Sequence, residues 1–181
     1  MKTFLTYISV VLVLGLTACK NEDKLPEEGV EQIVSTFYLI RHAEKDRSDE
    51  NNIDPELTQE GLGRAMHWAE ILDDVNLDAI YSTDYERTSQ TAAPAAVKQD
   101  ITVTYYNPAD INIEQFKSDN LGNNVLVVGH SNTTPDFVNQ LIGSSKYSAM
   151  DDTDNCSLFI VQMMGNTVTD MRLEFNCNCP D

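Results

Sequence analysis

Apolar residues change their spacing several times along the chain, and each change marks an element. Ser35–Ile40 (STFYLI) is a short apolar run of strand type. From Thr58 to Leu72, Leu62, Ala65, Met66, Ala69 and Leu72 recur at helical spacing, with Thr58 as N-cap. Leu77–Tyr81 and Thr102–Tyr106 read as strands. Asp84–Lys98 reads as a helix that Pro94 would kink or shorten. Asp110–Lys117 predicts a short helix. Val125–Val128 (VLVV) is apolar throughout, as a strand covered on both faces must be. Thr134–Ile142 is helical, with Pro135 in its first turn. Residues 157–163 and 167–175 form a hairpin about Gly165-Asn166. Strands alternating with helices predict an α/β fold: a three-layer sandwich with a mostly parallel sheet, helices on both faces and the C-terminal hairpin at one edge. No internal repeat or low-complexity tract interrupts it.

The first residues follow another logic. Lys2 precedes an apolar run, Phe4 to Leu16. At ~13 residues it is shorter than the ~20 a bilayer-spanning helix needs, and it has the length of a signal-peptide core. Leu16-Thr17-Ala18-Cys19 resembles the lipobox of bacterial lipoproteins. That resemblance implies cleavage before Cys19 and a diacylglycerol anchor on its thiol. Residues 1–18 are then a signal peptide and residues 19–33, polar, acidic and broken by Pro26 and Gly29, a tether. Residues 34–181 form the folded domain, held at a bacterial membrane on its periplasmic or surface face.

Composition narrows the function. The 181 residues carry a formal charge of −17, and 41% of them are hydrophobic. The length suits one domain and the apolar fraction a globular one. The charge excludes a basic footprint for nucleic acid and electrostatic docking on anionic lipid. A small anionic substrate remains compatible if cations gather locally. With Cys19 lipidated, three cysteines are left. An exported location permits disulfides, and hairpin pairing brings Cys156 near the register of Cys177. A Cys156–Cys177 bridge is expected, with Cys156–Cys179 as the alternative. Cys-x-Cys with one distant cysteine lacks a zinc spacing, and no metal site or cofactor is expected. The domain is read as a monomer.

In open α/β sheets, ligands bind beyond the carboxyl ends of the strands. There lie Arg41-His42-Ala43-Glu44-Lys45, Ser82 to Thr88, Asn107 to Asp110 and Gly129-His130-Ser131-Asn132, which hold two of the three histidines. Arginine matches phosphate oxygens with two parallel donors. A neutral histidine can attack phosphorus and carry the phosphoryl group. A second, cationic histidine can bind the oxygens as charge builds. Helix starts near Arg87 and Asn132 add backbone N–H donors. His67, beside Trp68 in a helix, is read as structural.

These segments resemble the histidine phosphatase (phosphoglycerate mutase-like) superfamily. Arg41-His42-Ala43-Glu44 is similar to its Arg-His-Gly-Glu signature, with Ala43 where glycine is usual. Leu57-Thr58-x-x-Gly61, Ser82 with Arg87-Thr88-x-Gln90-Thr91, and Gly129-His130-Ser131 resemble its later motifs. The resemblance implies that His42 accepts the phosphoryl group and that Arg41, Arg87 and His130 bind it. Glu44, Ser131 and Asn132 are candidate substrate contacts. Larger members carry a glutamate proton donor after the third strand, in a motif absent here. Asp110 is the favoured substitute, with Glu114 or no dedicated acid as alternatives. The implied activity is hydrolysis of a small phosphorylated substrate, a phosphomonoester or phosphoramidate, without metal. The alternatives are a phosphoglycerate mutase-type phosphotransferase, a metal-dependent hydrolase using His42, His130 and Asp54, and a phosphate-binding lipoprotein without turnover. Specificity in this architecture sits in loops, here Lys45–Glu56 and Lys146–Asn155.

Overall fold

A computed structural model describes residues 32–175. The expected signal peptide, Cys19, Cys177, Cys179 and all but the last residues of the expected tether lie outside the described residues.

Six strands form one sheet in the order β3-β2-β4-β1-β5-β6. They are β1 (Val34–Arg41), β2 (Ala79–Thr83), β3 (Val103–Tyr106), β4 (Asn124–Gly129), β5 (Ser157–Met164) and β6 (Thr167–Glu174). The first four run parallel, and β5 joins β1 antiparallel. The hairpin β5–β6 turns through Gly165 at φ 57, a left-handed conformation that costs glycine little. The expected three-layer α/β architecture is the observed one.

Side-chain alternation along the central strands builds two cores. Ile40, Leu126 and Val128 face one side, where Trp68, Ala69 and Leu72 of α1 (Gln59–Ile71) and its C-cap meet Ala92, Ala95 and Ala96 of α2 (Glu86–Lys98). Phe37, Leu39, Val125 and Val127 face the other. They pack on Phe116 of α3 (Ile113–Asp119) and on Phe137, Val138 and Leu141 of α4 (Thr133–Ile142). Because β4 is covered on both faces, it has no polar position inside the VLVV run.

Two local expectations change. Pro94 does not end α2, which continues to Lys98; the buried alanines on either side of it hold this face to the sheet. Helix α3 starts at Ile113 rather than Asp110, because the Asn112 side chain accepts from the Gln115 N–H and caps it there. Asp110 stays in the preceding turn, its backbone N–H bonded to the Asn107 carbonyl.

Candidate active site

The parallel strands bring Arg41 beside Gly129 in register, and the His42 N–H extends the ladder to the Gly129 carbonyl at 2.9 Å. His42 and His130 therefore leave neighbouring strands together, with ring centroids 5.5 Å apart. A cavity of about 580 Å³ opens there. His42, Lys45, Tyr85, Arg87, Asn107–Ala109, His130–Thr133, Asp136 and Asp152 line it.

The His42 Nδ1 lies 2.7 Å from the Ala43 carbonyl. A carbonyl only accepts, so Nδ1 carries the proton and Nε2 keeps its lone pair. Burial, reinforced by Arg41, His130 and Arg87, pushes the His42 pKa from 6.5 to about 3. The ring is neutral and nucleophilic at any pH near neutrality. The Asn155 Nδ2 donates to the His42 carbonyl at 2.7 Å, and the Ala43 N–H donates to Thr91 Oγ1 at 2.9 Å, so the backbone beneath the ring is clamped from both sides.

His130 is fixed through Thr83. Thr88 Oγ1 lies 2.7 Å from the Thr83 carbonyl and 2.9 Å from the Tyr85 carbonyl, so its single proton goes to a carbonyl. The Thr83 hydroxyl then donates to Thr88 at 3.0 Å and accepts from His130 Nε2 at 2.9 Å. Nδ1 is left as the proton-accepting atom. Burial first, then Arg87, Arg41 and Lys45, lower the His130 pKa to about 4. Among these cations the His130 ring of the protein by itself is neutral at neutral pH. Its ring stands nearly perpendicular to Tyr85, centroid to centroid 5.1 Å, and Tyr85 in turn stacks under the Arg87 guanidinium at 4.3 Å.

The motif residues around the histidines act as scaffold. In Arg87-Thr88-x-Gln90-Thr91, Arg87 lines the cavity, Thr88 holds Thr83, Gln90 accepts from the Leu57 N–H at 2.7 Å, and Thr91 holds Ala43. Gly61 has a steric reason: a Cβ there would stand 2.2 Å from the Glu44 carbonyl oxygen. At Gly129 a Cβ would meet Thr134 Oγ1 at 2.8 Å. Ala43, where the superfamily motif has glycine, is fully buried with Leu57 and Ala65, which accommodate its methyl group.

Other candidate residues stand elsewhere. Glu44 points away from the cavity into an ion pair with the buried Arg64, 2.6 Å apart. Asp110 does not line the cavity; its Oδ2 accepts from Asn107 Nδ2 at 2.6 Å. Glu114 is exposed and paired with Lys117 at 2.9 Å. Neither carboxylate reaches the histidines, because α3 begins beyond Asp110 and carries Glu114 outward. Ser131 and Asn132 do line the cavity, at the start of α4. Arg41 is 1% exposed and bonded to Asp152 at 2.7 Å, while Arg87 meets Asp54 at 3.2 Å. Asp54 also accepts from the Glu86 N–H at 3.1 Å, so this carboxylate already takes one of the α2 donors expected to face substrate. The Nε–H groups of Arg41 and Arg87 are buried with no acceptor among the described residues. Cys156 is disulfide-bonded, with its partner outside the described residues.

Sequence reasoning passed over Thr83, Tyr85 and the 107–109 turn as individual site residues, although all lie at strand ends where it looked. Asp152 gave no local signal, since 111 positions separate it from Arg41.

Fold and cavity define a class: an α/β domain with paired histidines and arginines at the carboxyl end of a parallel sheet. Residues 37–107 match the profile of the histidine phosphatase superfamily (branch 1), and that stretch carries both arginines and the first histidine. Solved structures share the fold. The alpha-ribazole phosphatase from Shigella flexneri aligns with a TM-score of 0.62 and 17% identity, over 77% of this chain and 96% of its own. A phosphohistidine phosphatase assignment, SixA from Agrobacterium tumefaciens, aligns at 0.56 and 20% identity, over 77% and 97%. The mycobacterial glucosyl-3-phosphoglycerate phosphatase aligns at 0.52 and 14% identity, over 71% and 90%. No curated protein matches the sequence.

Proposed function

We propose that the chain is a phosphatase that hydrolyses a small phosphomonoester or phosphoramidate through a phosphohistidine on His42, without a metal ion. The observation that carries this reading is the committed Nδ1 of His42, 2.7 Å from the Ala43 carbonyl, in a ring held neutral beside His130. Nε2 attacks phosphorus and the bond to the leaving oxygen or nitrogen breaks, the leaving group taking its electron pair and a proton from solvent. Arg41, Arg87 and His130 bear the charge on the phosphoryl oxygens. Water then attacks phosphorus, the phosphorus–nitrogen bond breaks with its electron pair returning to Nε2, the water gives up a proton to solvent, and inorganic phosphate leaves. Arg87 and Lys45 in the cavity lining favour an anionic ligand. A phosphoryl dianion beside His130 also raises its pKa, so binding brings a proton to Nδ1 and supplies the cationic donor that the unprotonated ring lacks. Asp110 and Glu114 drop out as proton donors in this scheme.

Anchoring at Cys19 and residence in a bacterial envelope belong to the same proposal. The disulfide at Cys156 supports it, because such bonds persist in oxidising compartments.

The deciding experiment is rapid quench with a radiolabelled phosphomonoester, without acid. Label on the wild type that is acid-labile and absent from His42→Ala, with turnover surviving chelator, is the expected result. Phosphate binding without any trapped label would make the protein a non-catalytic phosphate binder instead.

A further inference from the structure

The segment between α4 and β5 wraps the Arg41 guanidinium. Nη1 donates to the backbone carbonyls of Asp151 and Asp154 at 3.4 and 3.3 Å. Nη2 donates to Asp152 Oδ1 at 2.7 Å. The other oxygen of the same carboxylate meets Arg47 Nη1 at 2.6 Å. Asp152 lines the cavity of His42 and His130. A carboxylate of this chain therefore already sits on a guanidinium that the phosphatase reading assigns to the phosphoryl group.

The two halves of this contact are held very differently. Arg41 is 1% exposed, and the segment's backbone is pinned by Asn155 to the His42 carbonyl and by Arg172 to Asp154. The Asp152 side chain is 59% exposed and has only two torsions between it and solvent. It can leave Arg41 without moving the backbone. A monoanion displacing it exchanges one negative charge for another and gains little. A dianion brings a second charge to Arg41, Arg87 and Lys45, and wins.

From this geometry we propose that Asp152 is an internal competitor for the phosphoryl position on Arg41, a residue that sets how tightly the site takes a phosphoryl group. The proposal deepens the phosphatase reading and rests on it.

Calorimetry on the whole chain tests it. Inorganic phosphate, at a pH where it is a dianion, and dimethyl phosphate, a monoanion, are titrated into wild type, Asp152→Asn and Asp152→Ala. Asn keeps an oxygen for Arg41 and removes the charge; Ala removes both. In each folded variant phosphate and dimethyl phosphate should each bind about three- to tenfold more tightly and by a similar factor, and KM should fall in step. Unchanged phosphate affinity in both variants, with binding by the wild type intact, would overturn the competitor and leave the phosphatase reading standing. A large loss of kcat on alkyl phosphates but not on p-nitrophenyl phosphate, at unchanged affinity, would also overturn it and make Asp152 the proton donor. Absence of phosphate binding by all three proteins would overturn both.

Discussion

Acidification from pH 7 to pH 5 should destabilise this protein, and His42 should be the main cause. In the fold its pKa is about 3, against 6.5 when free. Between those values the unfolded chain binds a proton that the native ring refuses. Stability therefore rises with pH across this window and is lost as pH falls from 6.5 towards 3. At about 1.4 kcal/mol per pH unit, the drop from 6.5 to 5 removes roughly 2 kcal/mol. His130 acts in the same direction as pH falls from 6.5 to about 4. Its ring is less buried, and with solvent screening it adds roughly 1 kcal/mol. The total, about 3 kcal/mol, is a large part of the ~5–15 kcal/mol that holds a domain together. The carboxylates lowered below 3.8, Asp46, Asp151, Asp152 and Asp170, titrate below the window. His42→Asn keeps an N–H for the Ala43 carbonyl and takes up no proton, so its loss over the same interval should shrink to about 1 kcal/mol. Urea unfolding at pH 7, 6 and 5, followed by the fluorescence of the single, buried Trp68, measures both proteins. Parallel losses would mean that His42 is not held neutral by burial, and the case for its nucleophilicity would fall with it.

Other outcomes follow from the same contacts. Because Nε2 of His42 stays unprotonated, kcat/KM on a phosphomonoester should not decline between pH 7 and 5 through this group, which a pH–rate profile checks while the protein remains folded. Thr83→Val removes the acceptor of His130 Nε2 at nearly constant volume, and kcat/KM should fall about tenfold or more; an unchanged value would show that the orientation of His130 does not depend on that hydroxyl. Phosphate binding should raise the His130 pKa above about 4, seen in its ring resonances and as proton uptake during calorimetry in buffers of different ionisation enthalpy. Gly61→Ala puts a methyl group against the Glu44 carbonyl and should lower stability by about 1–3 kcal/mol with a matching drop in Tm.

The hydrophobic pattern of this chain was enough for its strands, helices and layers, because each element buries one face at its own period. VLVV could only be a doubly covered strand, and it became β4. The strand-end rule gathered His42, His130 and Arg87 at the cavity, because the segments that follow adjacent parallel strands leave at the same end; Arg41, the last residue of β1, is buried on Asp152 and is not among the lining residues. Sequence could not decide charge or competition within that group. Histidine by type gives no pKa for His130; burial beside Arg87, Arg41 and Lys45 lowers it to about 4. Asp110 lay next to the right strand end, but a cap at Asn112 turned the helix away from it. Glu44 stood beside His42, but Arg64 draws it aside. Asp152 reaches Arg41 only because the antiparallel pairing of β5 with β1 carries the end of the preceding segment back over the cavity. The order of residues determined which groups could do chemistry; long-range packing, which sets burial and pairs charges distant in sequence, decided which of them face the cavity and in what protonation state.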